Sequence, residues 1–445
     1  MNLFIFRRDF RVVDNRGLLE CPTGCIPIFI GTPEQLVNNK YGSDYSVQFM
    51  YESLKELEKD CDCRIHCFFG DNVDVLREIA RHVDVESINY NRDYTPYALK
   101  RDDDIRNLCE ELEIDCNEYD DYLLVPPGEI VTGSGTTYKV YGQFNKRLRA
   151  VDVDAVSKKK VTFGGNGKKL KGELKEGVDF LKKYFVEQDG LEFRGGRKNA
   201  LKRLKKSYSE YDDSRDELNY ETTRLSAYIK FGCVSIREVY WTFKKKKYDT
   251  LVNQLIWRDF YYNIIYAFPK NIGHSMRERF LKFKWINNKK WFKAWCEGKT
   301  GFPIVDAGMR QLNETGYMHN RTRLITSNFL VRILICDWRW GEQYYASKLI
   351  DYDPAVNNGN WQWSAGSGTD TAPFSQRIFN PWLQSEKFDP DCEYIKKWIP
   401  ELADVSNKDI HNWFKSDVDV YGYPKPIVDY KDQRAIVKKI WKESA

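Results

Sequence analysis

The chain has 445 residues, of which 15% are aromatic and 30% charged, and a formal net charge of +5. This length exceeds one typical core, so two or three domains are expected, and a net charge this small does not by itself point to nucleic acid. No apolar run approaches the roughly 20 residues of a membrane span, and the opening MNLFIFRRDF lacks the order of a signal peptide; an intracellular protein, cytoplasmic or nuclear, with its eleven cysteines reduced is expected.

Four short apolar runs, Leu3 to Phe6, Ile26 to Ile30, Ile65 to Phe69 and Ser87 to Tyr90, read as buried strands. Asp44 to Leu57, Val73 to Ala80 and Leu99 to Leu112 carry helical spacing between and after them. This alternation predicts a parallel, Rossmann-like sheet with a ligand crevice at its carboxyl edge, although no GxGxxG stands between a strand and a helix. Cys61, Cys63, His66 and Cys67 invite a metal reading, but CDCRIHC lacks a second ligand pair, and no metal is expected.

From Pro126 to about Gly196 the composition turns to Gly, Lys and Pro, which marks a connecting segment. Its glycines before Lys168 form no phosphate loop, because Lys169 stands where Ser or Thr would be needed. Sixteen Lys or Arg against six Asp or Glu lie between Lys158 and Lys206, a surplus that suits a solvated linker as well as a phosphate-facing surface. Beyond Gly196 strand signals fade, and Lys198 to Lys206, Ser235 to Phe243, Leu251 to Tyr266, Val305 to Leu312 and Arg321 to Leu334 have helical periods. All thirteen Trp lie at or after Trp241. The expected division is an α/β unit over 1–128, a connecting segment over 129–196 and an all-helical unit over 197–445.

Four stretches of the second half carry polar and aromatic groups that packing alone does not require. In KLIDYDPAVNNGNWQW, Asp351, Asp353, Asn357, Asn358, Trp361 and Trp363 surround a bend at Pro354, a mixture suited to holding a flat heterocycle. ETTRLSAYI places Thr222, Thr223, Arg224 and Ser226 at the head of a helix, where a phosphate or a plain helix cap would fit. In LVNQLIWRDFYY, Asn253 and Trp257, and likewise Gln254 and Arg258, can share a helix face, which suits the edge of a base or flavin and equally a helix lying half in solvent. GYMHNRTRL brings His319, Asn320, Arg321 and Arg323; with no partner for His319 in the sequence, a structural histidine is expected. No nucleophile triad or paired-carboxylate arrangement stands out, which assigns the chemistry to a cofactor.

Taken in order, FRRDFRVVDN, TTRLSAYIKFG, LIWRDFYY, EGKTGFPIVDAGMRQLNETGYMHNR, DWRWGEQYY, NNGNWQWSAGSGTD and RIFNPWLQSEKFDP resemble the photolyase/cryptochrome family nearly end to end. Within it the chain is similar to the class I enzymes that repair cyclobutane pyrimidine dimers, archaeal members included. The resemblance implies an α/β antenna domain followed by an all-α domain that binds FAD and catalyses repair. Residues that match the family's flavin contacts are Tyr211, Thr222, Thr223, Arg224, Leu225, Ser226, Arg258, Arg323, Asp351, Asp353 and Asn357, with Arg323 and Asp351 as an ion pair. Asn357 matches the residue that faces flavin N5 in photolyases. Trp361, Trp338 and Trp285 match an electron-transfer chain to the flavin, Trp257 and Trp363 the indoles against a flipped-out lesion, and Arg321 and Arg377 groups on the damaged strand.

The implied activity is light-driven: reduced, excited FAD donates an electron to the dimer in UV-damaged DNA, the ring splits, and the electron returns. Gln254, Asn320 and Asn357 are the expected catalytic positions. Gln254 stands where dimer photolyases place a glutamate and is typical of (6-4) photolyases, so a (6-4) enzyme is one alternative. Against it, Asn320 and Leu324 occupy the positions of the histidine pair that the (6-4) enzymes carry and their proton transfer needs. A cryptochrome-like photoreceptor is the other alternative, favoured by Gln254, which animal cryptochromes also carry, and opposed by Asn357, by the lesion-contact tryptophans and by the lack of a long tail after the helical unit. The folate-binding Asn-Glu pair of bacterial relatives is not found around NRDYTPYALKRD, which leaves deazaflavin, a second FAD, folate or no antenna. A monomer without an obligate protein partner is expected.

Overall fold

The protein is described by a computed structural model covering residues 1–61, 63–159, 161, 163–164, 175–369 and 377–443. The glycine-lysine stretch before Lys169, which forms no phosphate loop by its sequence, lies largely outside these residues. The first third alternates strands and helices: β1 (Asn2–Phe6), α1 (Arg16–Glu20), β2 (Ile26–Gly31), α2 (Pro33–Leu36), α3 (Asp44–Asp60), β3 (His66–Phe69), α4 (Asn72–His82), β4 (Ser87–Asn91), α5 (Pro96–Glu111) and β5 (Asp115–Tyr119). Strands buried on both faces read as unbroken apolar runs, and β1 and β2 are of this kind. β5, with the sequence DCNEY, carries no such run because it is an edge strand, and for that reason it is absent from the sequence reading.

The five strands are mutually parallel. A two-residue strand β6 (Lys175–Glu176) from the connecting segment adds antiparallel to β3, giving the order β5-β4-β1-β2-β3-β6. The direction of winding reverses between β1 and β4, so a crevice opens above their carboxyl ends.

The connecting segment also holds α6 (Tyr141–Leu148). Helices then follow almost without interruption: α7 (Arg197–Lys205), α8 (Tyr211–Ser214), α9 (Ser226–Lys230), α10 (Ile236–Lys245), α11 (Asp249–Ala267), α12 (Lys289–Glu297), α13 (Pro303–Thr315) and α14 (Asn320–Arg332). The series ends with α15 (Trp338–Ala346), α16 (Pro354–Ala365), α17 (Pro381–Phe388), α18 (Glu393–Trp398), α19 (Asn407–His411) and α20 (Tyr430–Glu443). What the sequence suggests as a bend at Pro354 is the first turn of α16. Asp353 caps it by accepting from Ala355 N and Val356 N, and proline is tolerated at that first position because it has no amide proton to satisfy.

One hydrophobic core runs across both parts, joining Phe10 and Phe49 beside the sheet to Phe231, Tyr228 and Ile350 of the helical part. A second core fills the far face of the sheet, and a third lies among α12 to α18. α11 and α16 approach so closely that a Cβ on Gly359 would lie 2.2 Å from Tyr261 Cδ1. Among the described residues no helix is long and apolar enough to cross a membrane, and no group of three His, Cys, Asp or Glu could hold a metal ion.

Candidate active site

Asp351, in the loop before α16, sits where α14 and α9 converge. Its Oδ2 accepts from Arg323 Nη2 at 3.0 Å and from Ser226 Oγ at 2.6 Å. Burial opposes ionisation, but the adjacent Arg323 and the two hydrogen bonds outweigh it and hold the carboxyl below its usual range. Beside this pair Thr222 Oγ1 lies 3.3 Å from the Tyr317 hydroxyl, and the guanidiniums of Arg224 and Arg323 both lie over the Tyr317 ring. Arg224 adopts a left-handed backbone (φ +49°) and is ion-paired with Glu192. The ETTRLS stretch is therefore a loop leading into a five-residue helix, and its N-cap position, Leu225, makes no side-chain capping bond.

Asp353, two residues on, has the opposite character. Its Oδ2 accepts from Arg8 Nη2 at 2.5 Å, Tyr262 at 2.7 Å and Tyr122 at 3.0 Å, while Oδ1 takes the two amides of α16. Five protein donors saturate a carboxylate. Burial again opposes ionisation, yet Arg8, Arg258 and the Tyr262 hydroxyl bring the carboxyl down to about 2. Whatever this position offers a cofactor must come from its backbone. Arg258 joins the same cluster, stacked on Tyr122 at 3.9 Å with Nη1 donating to Tyr122 O at 3.0 Å.

Asn357, one turn into α16, donates through Nδ2 to Glu342 O at 3.1 Å and to Glu342 Oε1 at 3.0 Å. Glu342, which the sequence reading missed, is 5% exposed, and burial pushes its carboxyl up to about 7 against the Asn357 hydrogen bond. On α11, Gln254 is exposed, and Trp257 stacks on Tyr141 with ring centroids 3.5 Å apart. Trp363 projects from α16 with the Arg377 guanidinium 4.4 Å over its ring. Asn320 is exposed at the start of α14, and Tyr211 is half-buried on α8. Arg321 is engaged within the protein: Asp216 accepts from its Nε and Nη2, and its guanidinium lies 4.2 Å over Phe388. His319 caps α14 through Nδ1, and burial drives it down to about 4.

Trp361 and Trp338 are almost fully buried and Trp285 is half-buried, all in or against one cluster. Trp361 and Trp338 thus lie in the interior and Trp285 nearer the surface. Trp361 also meets Tyr345 at 4.8 Å and Trp295 at 6.2 Å, and Trp338 Nε1 lies 3.4 Å from Ser275 Oγ.

Three buried polar atoms around this cleft, Asp351 Oδ1, Arg224 Nε and Arg258 Nη2, have no partner within the protein. A buried group left without a hydrogen bond costs about 1–3 kcal/mol, so they fit a ligand that presents both donors and acceptors, as a flavin dinucleotide does.

The family model described as DNA photolyase matches residues 2–160, and the FAD binding domain of DNA photolyase matches residues 251–443. The chain is 35% identical over 488 residues to the deoxyribodipyrimidine photo-lyase of Buchnera aphidicola subsp. Acyrthosiphon pisum, covering 100% of this chain and 97% of that one. Among solved structures it is similar to an archaeal photolyase from Sulfolobus tokodaii with two FAD molecules (40% identity, TM-score 0.90, all of both chains). It is also similar to a bacterial class III photolyase from Agrobacterium tumefaciens (30% identity, TM-score 0.92, 100% of this chain and 97% of that one). A parallel α/β sheet, a helical half with an unsatisfied polar cradle, and relatives at this identity over nearly their whole length lead to one conclusion: the chain belongs to the DNA photolyase family.

Proposed function

We propose that this protein repairs cyclobutane pyrimidine dimers in UV-damaged DNA with visible light, using FAD. The observation that carries the reading is the Arg323–Asp351–Ser226 cradle with its unpartnered Asp351 Oδ1, in a chain related end to end to deoxyribodipyrimidine photo-lyases. When bound, FAD supplies light-driven single-electron donation to the lesion. Thr222, Thr223, Arg224, Leu225, Ser226, Arg323 and Asp351 hold it, with Tyr211 and Arg258 at its margins and the backbone of Asp353 beneath. Glu342 fixes the amide of Asn357 toward it. Trp257 and Trp363 offer flat faces to a base pair that damage has made cheap to unstack. Gln254 and Asn320 border the lesion, Arg377 and Arg321 its strand, and Trp361, Trp338 and Trp285 carry electrons inward to the cofactor. The unit division 1–128, 129–196 and 197–445 and a monomeric state belong to this reading, and a DNA substrate places the protein inside the cell.

A second, light-harvesting chromophore fits the carboxyl edge of the sheet. Arg7 after β1 and Arg101 on α5 share one carboxylate, Asp102, at 2.8 and 2.9 Å. Three of their buried nitrogens, Arg7 Nε, Arg7 Nη2 and Arg101 Nη2, have no protein partner. Two guanidiniums on one carboxylate leave a surplus positive charge at the switch point between β1 and β4, which favours a chromophore bearing phosphate or carboxylate, a second FAD above all. The relative with two FAD molecules supports the same choice.

The test is blue-light repair by reduced, FAD-loaded protein of two matched oligonucleotides, one with a cyclobutane thymine dimer and one with a (6-4) photoproduct. Restoration of the first alone is expected. Repair of the second alone would overturn the lesion assignment, and repair of neither with flavin bound would move the protein to the photoreceptors.

A further inference from the structure

Six of the seven cysteines before residue 130 form three pairs, each at a passage from a helix into a strand and so at the amino edge of the sheet, away from both cofactor clefts. Cys21 and Cys25 bridge α1 to β2, Cys61 and Cys63 bridge α3 to β3, and Cys109 and Cys116 bridge α5 to β5. In each pair the partner thiol shifts the titration of its neighbour, and Cys116 packs against the buried cluster that contains Cys109. None serves the chemistry argued above.

We propose that Cys109 and Cys116 are a redox-active dithiol, modified to an intramolecular disulfide by low-molecular-weight disulfides. The separation is held by the backbone: Ile114 N donates to Cys109 O at 2.9 Å and Asp115 N to Glu86 O at 3.0 Å, so the last turn of α5 is tied to the start of the edge strand. Cys109 is buried in the core on that face of the sheet, while Cys116 is half-buried on β5, the strand with a free edge. A reagent therefore meets Cys116 first. The Tyr90 hydroxyl lies 3.6 Å from Cys116 Sγ and 2.5 Å from Glu118 Oε1, so its single proton can turn to the sulfur when a thiolate forms.

These surroundings separate the pair from the other two. The Cys109 thiol donating to Cys116 brings Cys116 down to about 7 against burial, with the Tyr90 hydroxyl and Arg106 assisting, and the same bond raises Cys109. Cys21 and Cys61 are raised by their partner thiols and by burial as Cys109 is; what sets the third pair apart is the place of Cys116 on the edge strand with the Tyr90 hydroxyl beside it. A partly accessible thiol that ionises readily beside a resolving thiol is the arrangement that thiol–disulfide exchange requires.

The exchange balances as follows. Cys116 S⁻ attacks one sulfur of R–S–S–R, forming a Cys116–S–S–R bond and expelling RS⁻. Cys109 gives its proton to that RS⁻ and attacks the Cys116 sulfur, expelling a second RS⁻. The two cysteines are oxidised, and the reagent leaves as one RSH and one RS⁻.

The test uses the full-length, FAD-loaded protein and oxidised glutathione, followed by iodoacetamide and trypsin. Both cysteines fall in one tryptic peptide, Asn107 to Lys139, which holds no other cysteine. Most of this peptide is expected lighter by two hydrogens and without carbamidomethyl groups, and a reductant before alkylation should restore two labels. In Cys109→Ser the exchange should stop halfway, with one glutathione on Cys116. A wild-type peptide that remains doubly labelled after oxidation, or carries glutathione without closing, would overturn the proposal, and this measurement does not depend on the variant folding.

Discussion

Glu342→Gln tests the contact that positions Asn357. The Glu342 carboxyl is raised from 4.5 to about 7, chiefly by burial. Between those pH values the folded chain keeps a proton that the unfolded chain has lost. Stability therefore falls as pH rises through this window and is level on either side of it. A rise of this size corresponds to roughly 3 kcal/mol lost by pH 8. Glutamine is neutral throughout and still offers its Oε1 to the Asn357 amide, so the hydrogen bond at 3.0 Å survives while the titration disappears. Urea unfolding of wild type and variant, both with FAD bound, should be compared from pH 4.5 to pH 8. The difference between them cancels every other titrating group, and the variant should gain roughly 3 kcal/mol relative to wild type across the window. Parallel profiles would refute the reasoning, because they would mean that Glu342 titrates alike in both states.

Three further outcomes are expected. Trp361→Phe should abolish photoreduction of oxidised FAD while dimer repair by chemically reduced enzyme stays near wild type; undiminished photoreduction would remove Trp361 from the electron path. Gln254→Glu should raise the dimer-splitting quantum yield, since dimer photolyases carry the acid there, and an equal or lower yield would show a site adapted to the amide. Gly359→Ala would set a methyl 2.2 Å from Tyr261, so α11 and α16 must part at a cost of about 1–3 kcal/mol, read as a lower unfolding midpoint and looser FAD retention. An unchanged midpoint would show that these helices adjust freely.

How far the sequence reveals this arrangement depends on how local each determinant is. β1, β2, β3 and β4 are legible because strands covered on both faces must be apolar throughout, whereas β5 is polar at the edge and is placed only by its pairing with β4. The long helices show their period, but α16 hides its own, since its polar positions face the cleft and the neighbouring helices as well as solvent. Glu342 in DWRWGEQYY reads as a solvated helix position, and only packing of α15 against α16 buries it. The holding of Arg321 by Asp216 spans 105 residues, which no local pattern could disclose.

The two carboxylates of DYD make the same point most sharply, and they bear on how the two parts of the chain work together. Nothing in the tripeptide distinguishes Asp351 from Asp353. What separates them is Arg8, which follows β1 and lies 345 residues from Asp353 in sequence. That guanidinium, with Tyr122 and Tyr262, satisfies Asp353 completely and fixes the first turn of α16 to the sheet. Asp351 is held on one oxygen only, and its other oxygen has no partner within the protein. Lys230 ties the backbone between the cores by donating to Ile350 O at 3.2 Å and to Ser46 Oγ at 2.7 Å. Burial, then the nearby Arg8, bring this lysine down to about 7. The sheet thereby sets the position of the loop that bears Asp351, and the α/β part acts as a rigid support for the cofactor cleft besides any part it plays in gathering light.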